Sequence, residues 1–574
     1  MKNVPSWDLS DLYKSINDHK ITTDKKWVVA KTKSFIKNYK GKVSKNDALL
    51  AIGLYEEIIN KLSILSGYSH LVFTTNTNNT DVSKFFQNVT EFETEIASEL
   101  IWFELELVKV KGIKNLKEYK HFISNLLIQS KYKLDEKNEV IINEKNQTGK
   151  DAFIKLYEKI TSNEKYDGKT NSEISSMFSY DKNRNNRKKA GRIISKTIDK
   201  NIDNYTHIIN TLLLDRKVAN KLRGFKYPEQ STFINYEVTK DMVTNMSNVV
   251  VKNHDICRKY YQAKSVLTKN KLFEWDRYNS IYPDLKVNYP WDDTKKIVLD
   301  SFYNFSPKTH SIASKFFDNS WIDAKTKIGK QSGAYCSYIS NTTHPYIFMN
   351  ATGDISDVTT LAHEMGHAIH GYLSTGNNLF EYHPSTATAE IASVFAESLV
   401  FDKIYEETKD KKVKLNLLGN RLQNSFATVF RQNAFYLFEK RIYEERVKNG
   451  ELSKDQISNF YQEYLQPMFG SSLKLTDNHK NYWTLISHFY HYNFYVFTYA
   501  FGELLAMSLY AIYKKDGTNF ADRYIKALSL GGSKTPEEIT KSMGVDITKP
   551  DFWQSGVDLI NEEVNEFIRL SKEI

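Results

Sequence analysis

The stretch Asp357-Val-Thr-Thr-Leu-Ala-His363-Glu364-Met-Gly-His367-Ala-Ile-His370 predicts a helix with two different faces. Apolar residues recur at helical spacing and form one stripe suited to a core: Val358, Leu361, Ala362, Met365, Ile369 and Tyr372. At about 100° per residue, the three histidines cluster roughly 150° away from that stripe. Asp357 is expected to cap the N-terminus of this helix. The histidine face is the part of the helix that indicates a function.

That face carries the motif H-E-x-x-H. His363 and His367 lie about one helical turn apart, so both imidazoles can reach one metal ion. Glu364 is the usual base toward a metal-activated water in this motif. With 14 His and 69 acidic residues among 574, the motif arises by chance with a probability on the order of a few per cent. The alternative interpretation is a solvated helix face with unrelated histidines.

A catalytic zinc ion typically takes three protein ligands and keeps a fourth position for water. The downstream residues that could supply the third ligand are Glu381, His383, Glu390 and Glu397. Residues 386–399 are predicted to form a second helix, with Glu390 and Glu397 two turns apart on one face. We therefore expect Glu390 to bind the metal and Glu397 to orient an imidazole. An exposed helical carboxylate is the alternative for Glu397.

Two other kinds of zinc site are excluded by the sequence. His370 and Leu373 stand where a metzincin would carry Gly and His. Cys257 and Cys336 are too few for a Cys-rich zinc site or a disulfide framework. We expect His370 to support the site or the fold rather than to bind the ion.

The composition is that of a globular protein, with 41% hydrophobic and 26% charged residues. A chain of 574 residues exceeds one ordinary core, so two or more domains are expected. The net charge is +10, but the lysines are scattered among Asp and Glu, so we expect no nucleic-acid partner. The first residues lack the apolar run of a signal peptide, and no stretch has the length and apolarity of a membrane span. We therefore expect a cytoplasmic protein that does not associate with membranes.

Helical spacing of apolar residues and sparse Gly and Pro predict a mainly α fold. The predicted helices include 49–65, 89–110, 238–263, 415–447, 452–466, 519–530 and 550–574, and a loop is predicted at 143–150. His344-Pro-Tyr-Ile-Phe-Met-Asn350 is predicted to form a strand of a small β-sheet next to the H-E-x-x-H helix. The edge of such a strand can pair with an extended peptide. An ordinary buried strand is the alternative.

Residues 482–512 are predicted to form an aromatic-rich helix. Four residues at i, i+4, i+7 and i+11 would share one of its faces: His488, Tyr492, Tyr495 and Tyr499. Tyr and His side chains can donate hydrogen bonds to the oxyanion formed during peptide-bond hydrolysis. The alternative is a core face with polar tips.

The motifs together resemble a known family. His363-Glu-Met-Gly-His-Ala-Ile-His370 followed by Ala389-Glu-Ile-Ala-Ser393 is similar to the oligoendopeptidase F branch of the thimet oligopeptidase family, the M3 metallopeptidases. Further stretches resemble that branch in the same order along the chain: Trp7–Tyr13, Gly333–Cys336, Pro345–Asn350 and His488–Tyr495. Phe497 departs from the family pattern, which usually carries Tyr at that position.

The resemblance implies one Zn²⁺ per chain, held by His363, His367 and Glu390, with Glu364 as base. It also implies a large, mostly helical ellipsoid with a deep substrate channel that admits short unfolded peptides. His488 and Tyr495 are expected to hold the oxyanion. Residues around them are expected to support the site or contact the substrate: His491, Tyr492 and Tyr499.

We place a domain boundary near residue 190. Residues 1–190 are interpreted as an N-terminal helical domain and residues 191–574 as a zinc metallopeptidase domain. The predicted function is zinc-dependent hydrolysis of internal bonds in oligopeptides, by a monomer or a weak homo-oligomer. The alternatives are a helical zinc carboxypeptidase, which also uses H-E-x-x-H and a downstream Glu, and a non-catalytic peptide-binding protein of the same fold.

Overall fold

The structure, a computed structural model, describes residues 3–285 and 287–574. Its helices are, in chain order, α1 (His19–Tyr39), α2 (Ala48–Thr75), α3 (Thr80–Leu100), α4 (Trp102–Leu107), α5 (Lys120–Ser130), α6 (Glu136–Thr148), α7 (Lys150–Asn163), α8 (Asn171–Tyr180), α9 (Arg184–Asp199), α10 (Ile202–Arg223), α11 (Gln230–Asn235), α12 (Lys240–Lys252), α13 (Asp255–Thr268), α14 (Trp291–Phe305), α15 (Pro307–Asp318), α16 (Ile355–Ser374), α17 (Leu379–Tyr382), α18 (Thr386–Ala389), α19 (Ile391–Glu407), α20 (Lys411–Ser425), α21 (Gln432–Asn449), α22 (Lys454–Phe469), α23 (His488–His491), α24 (Phe497–Asp516), α25 (Thr518–Leu528), α26 (Pro536–Ser542) and α27 (Pro550–Ser571). A π-helical segment, Phe426–Arg431, joins α20 to α21. The prediction of a mainly α fold is confirmed.

The strands are few and short: β1 (Leu272–Phe273), β2 (Ile322–Asp323), β3 (Tyr335–Ser337), β4 (Tyr346–Phe348) and β5 (Leu473–Lys474). One sheet has the order β2-β4-β3, with β4 parallel to β2 and antiparallel to β3. Ile347 of β4 lies opposite both Ile322 and Cys336. β1 and β5 form a second, parallel pair. The predicted strand at 344–350 is confirmed as β4, and it is the central, buried strand of its sheet.

The chain forms two compact units, each assembled from three separate stretches. The first unit contains Met1–Lys131, Val287–Ile404 and Ile512–Val545, and the second contains Tyr132–Lys286, Tyr405–Ala511 and Asp546–Ile574. Neither unit coincides with 1–190 or 191–574, and that sequence-based division stays a prediction. Among the described residues, the helices are too short or too polar to cross a membrane.

Aromatic side chains fill the core of each unit. In the first unit, the Phe103 ring lies 5.0 Å from Phe35 and 4.9 Å from Tyr55, measured between ring centroids, and so joins α4 to α1 and α2. In the second unit, the Tyr260 ring lies 5.3 Å from Phe426 and 4.7 Å from Phe567, which joins α13 to the π-helical segment and α27.

Two local predictions are wrong because polar side chains fix helix ends at positions that the apolar spacing does not indicate. Residues 143–150 lie in α6 and the start of α7 rather than in a loop, because Asp135 caps α6 by accepting the N–H of Asn138 at 3.0 Å. Gly149 only marks the joint between the two helices. The predicted helix 238–263 is divided at Asn253, whose side chain donates to the carbonyl of Val249 at 2.8 Å and so closes α12.

The apolar stripe predicted for α16 is buried at Val358, Leu361, Ala362, Met365 and Ile369, whereas Tyr372, its last predicted member, is only partly buried. The cap differs from the prediction. The helix begins at Ile355, one turn earlier, with Asp354 at the N-cap position. Asp357 lies inside the first turn, and its Oδ2 accepts the N–H groups of Thr352 at 2.6 Å and Gly353 at 2.5 Å. Asp357 therefore ties the preceding loop to the start of α16.

Asp357→Ala is expected to lower the free energy of unfolding of the first unit by about 1–3 kcal/mol, because the buried N–H of Gly353 loses its charged acceptor. The measurement is the thermal midpoint. Asp354→Ala is the matched control, since the Asp354 side chain makes no capping hydrogen bond. Equal thermal midpoints for the two variants would contradict this assignment.

Candidate active site

Three potential metal ligands converge in the first unit. The Nε2 atoms of His363 and His367 lie 3.2 Å apart. Oε2 of Glu390 lies 3.5 Å from the Nε2 of His363 and 3.6 Å from that of His367. Four ligands at about 2.0–2.1 Å in a tetrahedron lie about 3.3–3.4 Å from one another. Two imidazole nitrogens and one carboxylate oxygen at these separations therefore fit a single zinc ion.

Glu390 occupies a break between two helices. The sequence predicts one helix over 386–399, but the structure has α18 and α19, with Glu390 as the joining residue. The Oγ of Ser393 donates to Oε2 of Glu390 at 2.7 Å and to its backbone carbonyl at 3.1 Å. Ser393 thus orients the carboxylate. Sequence reasoning missed this residue, although a Ser three positions after a Glu could have suggested it.

Glu397 contacts the opposite nitrogen of His363. Its Oε1 lies 2.5 Å from Nδ1 of His363, which leaves Nε2 of that ring facing Glu390 and His367. Burial opposes a charge on His363, but Glu397, Glu390 and Glu364 together raise its pKa to about 9. The surrounding carboxylates therefore favour a positive charge here, which a proton or a metal cation can supply.

Glu364 is 7% exposed and lines a cavity of about 450 Å³ in the first unit. Burial raises the pKa of its carboxyl to about 7, with Glu390 and Glu397 adding to the effect and His363 opposing it. A carboxyl group that titrates near neutrality is suited both to accept and to release a proton.

The edge strand β3 lines the same cavity through Tyr335 and Cys336, as does Ala334 just before it. We expected substrate pairing at the strand 344–350, but that segment contains the central strand β4, which is buried. β4 is paired on both sides, by β2 and β3. β3 pairs with β4 on one side only, so its other edge has no strand partner among the described residues. The free strand edge beside the cavity therefore belongs to β3 rather than to β4.

Two glycines let other elements approach α16 closely. A Cβ on Gly366 would lie 2.3 Å from the carbonyl oxygen of Ala392 and 2.7 Å from Cα of Ser393, so α19 meets α16 at backbone contact. A Cβ on Gly371 would lie 2.8 Å from Pro345 and 3.1 Å from the Tyr338 ring. The Tyr338 hydroxyl donates to the carbonyl of His367. None of these contacts follows from spacing along the sequence, because each joins distant parts of the chain.

The remaining candidates near α16 lie outside the three-ligand cluster. His370 is buried, and burial lowers its pKa to about 3, so its ring is neutral. Glu381 accepts the N–H groups of His121 at 2.9 Å and Phe122 at 3.1 Å, which anchors α5. His383 lines the cavity with Glu364.

The aromatic group lies in the second unit. The predicted continuous helix over 482–512 is wrong: α23 ends at His491, α24 begins at Phe497, and the residues between them are not helical. The four residues predicted to share a face still lie together. Nε2 of His488 lies 3.0 Å from the Tyr499 hydroxyl, and the His488 ring stacks on Tyr495 at 5.7 Å between centroids. Burial raises the pKa of Tyr499 to about 12.

Tyr492, a member of this group, and the neighbouring His491 differ in their exposure and contacts. Tyr492 is largely exposed, with its ring centroid 5.1 Å from that of Tyr495. His491 lies 3.0 Å from Oε1 of Glu158.

A buried ion pair holds the break between α23 and α24 in place. The Arg216 guanidinium donates to Oε1 of Glu439 at 2.8 Å and to the carbonyls of Phe489 at 2.7 Å and Tyr492 at 2.5 Å. The same Glu439 oxygen accepts the N–H of Phe494 at 2.9 Å. Phe494 has a φ of 50°, in the left-handed region. The ion pair thus replaces helical hydrogen bonds that the broken segment lacks.

Two protein-family models match this chain. The Peptidase family M3 model matches residues 177–559, and a model described as Oligopeptidase F matches residues 109–166. The first match covers more than half of the chain, so the protein is a peptidase. The chain belongs to peptidase family M3.

Individual relatives match nearly the whole chain. Oligopeptidase PepF of Bacillus subtilis is 24% identical, over 99% of this chain and 88% of its own length. An oligoendopeptidase F homolog of Borreliella burgdorferi is 27% identical, over 98% of both chains. The crystal structure of oligoendopeptidase-F from Enterococcus faecium superposes with a TM-score of 0.70 at 19% identity, over 97% of this chain and 99% of that one. The predicted resemblance to the oligoendopeptidase F branch is confirmed.

Gly366→Ala is expected to weaken metal binding by at least about tenfold, because the new Cβ pushes α19 away from α16 and carries Glu390 with it. Metal affinity is measured by competition with a chromophoric chelator. Gly376→Ala is the control, since its Cβ meets nothing within 4 Å. Unchanged affinity in Gly366→Ala would show that the close approach does not position Glu390.

Arg216→Met is expected to destabilise the second unit by about 3–5 kcal/mol, because it leaves Glu439 buried without its partner. Hydrogen exchange of residues 489–496 should rise most, since two of their carbonyls lose a charged donor. Arg223→Met is the control: its pair with Glu139 is 26% exposed on each side, and such pairs contribute about 0–1 kcal/mol. Equal effects in the two variants would contradict the special role of Arg216.

Proposed function

We propose that this peptidase is a zinc-dependent oligoendopeptidase that hydrolyses internal bonds of short unfolded peptides. The observation that carries the proposal is the convergence of His363, His367 and Glu390 at the donor separations of a tetrahedral zinc site. Membership of peptidase family M3 supports the reaction, and the names of the relatives, oligopeptidase and oligoendopeptidase F, support oligopeptide substrates.

The metal ligands are His363, His367 and Glu390, and zinc bound there would polarise the scissile carbonyl and lower the pKa of water. Glu397 fixes the ring of His363 through Nδ1, and Ser393 fixes the carboxylate of Glu390. Partners of this kind typically change metal affinity or activity by about 10–100-fold when they are removed.

Glu364 acts as the general base and then as the general acid. Its carboxylate takes one proton from the attacking water while the oxygen bonds to the scissile carbonyl carbon. When the C–N bond breaks, Glu364 gives that proton to the leaving amine nitrogen, so the carboxylate is restored. Burial raises the pKa of Glu364, which supports its taking up the proton and holding it until the amine leaves.

His488 and Tyr495 are proposed to donate hydrogen bonds to the carbonyl oxygen as it becomes negative. The contact between His488 and the Tyr499 hydroxyl supports a defined orientation of the imidazole. Tyr492 and His491 are proposed to contact the substrate, and the exposure of Tyr492 supports that role. His370, which is buried in α16, is proposed to support the packing behind the metal ligands.

Glu364→Gln is expected to lower turnover by several orders of magnitude while zinc content stays at one per chain, because the amide keeps the shape but cannot accept the proton. The measurement is mass spectrometry of an internally cleavable peptide with an amidated C-terminus, together with metal analysis. Glu406→Gln, an exposed carboxylate change on α19, is the matched control.

Three outcomes would contradict the proposal. The first is full activity of Glu364→Gln. The second is cleavage that a zinc chelator does not abolish. The third is the absence of internal cuts in the amidated peptide, which would leave two alternatives. Trimming of an unblocked peptide would then indicate a carboxypeptidase, and tight binding without cleavage would indicate a binding protein.

A further inference from the structure

The second unit contains a cavity of about 460 Å³ between α20 and residues 278–285. Its volume lies within the range of about 300–1,000 Å³ that is usual for ligand pockets. None of the candidate catalytic or metal-binding residues described above lines it. Its wall on α20 consists largely of carboxamide side chains: Asn416, Asn420, Gln423 and Asn424.

The three asparagines form a regular row. They lie at i, i+4 and i+8 of α20, so successive side chains are about 6 Å apart along the helix axis and rotated by about 40° around it. In an extended peptide, every second residue presents its N–H and C=O to the same side, at intervals of about 6.6 Å. The row therefore matches the backbone repeat of an extended segment that crosses the helix obliquely.

The first asparagine of the row already binds backbone in this way. Oδ1 of Asn416 accepts the N–H of Tyr282 at 3.1 Å, and its Nδ2 donates to the carbonyl of the same residue at 2.7 Å. Oδ1 also accepts the hydroxyl of Ser280 at 2.9 Å. One carboxamide thus satisfies both polar groups of one residue of the chain's own loop.

The next two asparagines have the same chemistry and no such partner. Asn420 and Asn424 are exposed, and their side chains make no hydrogen bond to another residue in the described part of the chain. Each offers one acceptor and two donors to the cavity. Tyr180 and Tyr278 also line it and offer ring surfaces to side chains. Three charged residues line the cavity, and each already has a partner: Lys182 pairs with Asp284, Arg187 pairs with Asp276, and Asp181 accepts hydrogen bonds from Asn183 and Asn186.

We propose that Asn420 and Asn424 bind the backbone of an extended oligopeptide in this cavity, as a peptide-binding site additional to the zinc site. The two free carboxamides span a segment of three residues, two of them paired and one between them. Recognition through the backbone makes this site tolerant of peptide sequence. The site holds a peptide whether or not the zinc site cleaves it.

The test is photo-crosslinking of the full-length, metal-loaded Glu364→Gln chain. The probe is an acetylated and amidated octapeptide of alanine and leucine that carries one benzoylphenylalanine, and crosslinked residues are mapped by mass spectrometry. Crosslinks are expected on residues 411–425 or 278–285. Asn420→Ala/Asn424→Ala should lower their yield at least about tenfold, because up to four hydrogen bonds are lost. Crosslinks on residues 334–389 should not change.

Two controls separate backbone recognition from general effects. Asn143→Ala/Gln147→Ala removes two exposed carboxamides one turn apart on α6, outside the cavity, and should have no effect. The same octapeptide with all of its internal amides N-methylated should lose the crosslinks on α20, because its backbone N–H donors are gone.

Absence of crosslinks on both 411–425 and 278–285 would overturn the proposal, and so would crosslinks there that survive the double variant. Failure of the proposed function would appear elsewhere, as undiminished turnover by Glu364→Gln.

Discussion

The close approach of α19 to α16 at Gly366 is the constraint on which the candidate metal site depends. The two histidines are fixed relative to each other by one turn of α16, but the third ligand comes from another element. Only a residue without a side chain at position 366 lets the backbone at Ala392 come this near. Glu390, two residues earlier, then reaches both imidazoles.

Carboxylates surround this cluster to an unusual degree. Glu364, Glu390 and Glu397 all act on His363, and together they raise the pKa of that imidazole against the effect of burial. A group of negative charges in a partly buried site is costly unless a cation neutralises it. Burial, and after it Glu390 and Glu397, raise the pKa of Glu364, so the carboxylates proposed to attract the metal also act on the proposed base.

The features that sequence could predict are those set by local spacing. The helical fold, the apolar stripe of α16 and the strand β4 each follow from a period of apolar residues. The pair His363 and His367 follows from the same periodicity. Glu390 can be proposed as the third ligand because it lies on the next predicted helix downstream, and the family resemblance implies the same ligand.

The features that sequence missed depend on contacts between distant residues. The break between α23 and α24 is held by Arg216, more than 270 residues away from Phe489. A helical period continues through residues 482–512, and only tertiary hydrogen bonds overrule it. The role of Asp357 was misassigned because two aspartates precede the apolar run, and only the loop Thr352–Gly353 decides between them. The edge position of β3 likewise depends on sheet order, which no local pattern determines.

The central claim is that His363, His367 and Glu390 hold one zinc ion. X-ray absorption spectroscopy of the purified, zinc-loaded chain tests it most directly. The account predicts nitrogen and oxygen scatterers at about 2.0–2.1 Å with the multiple-scattering signature of two imidazoles, and loss of bound zinc in His363→Ala/His367→Ala. A sulfur shell at about 2.3 Å, or a spectrum without imidazole, would contradict it.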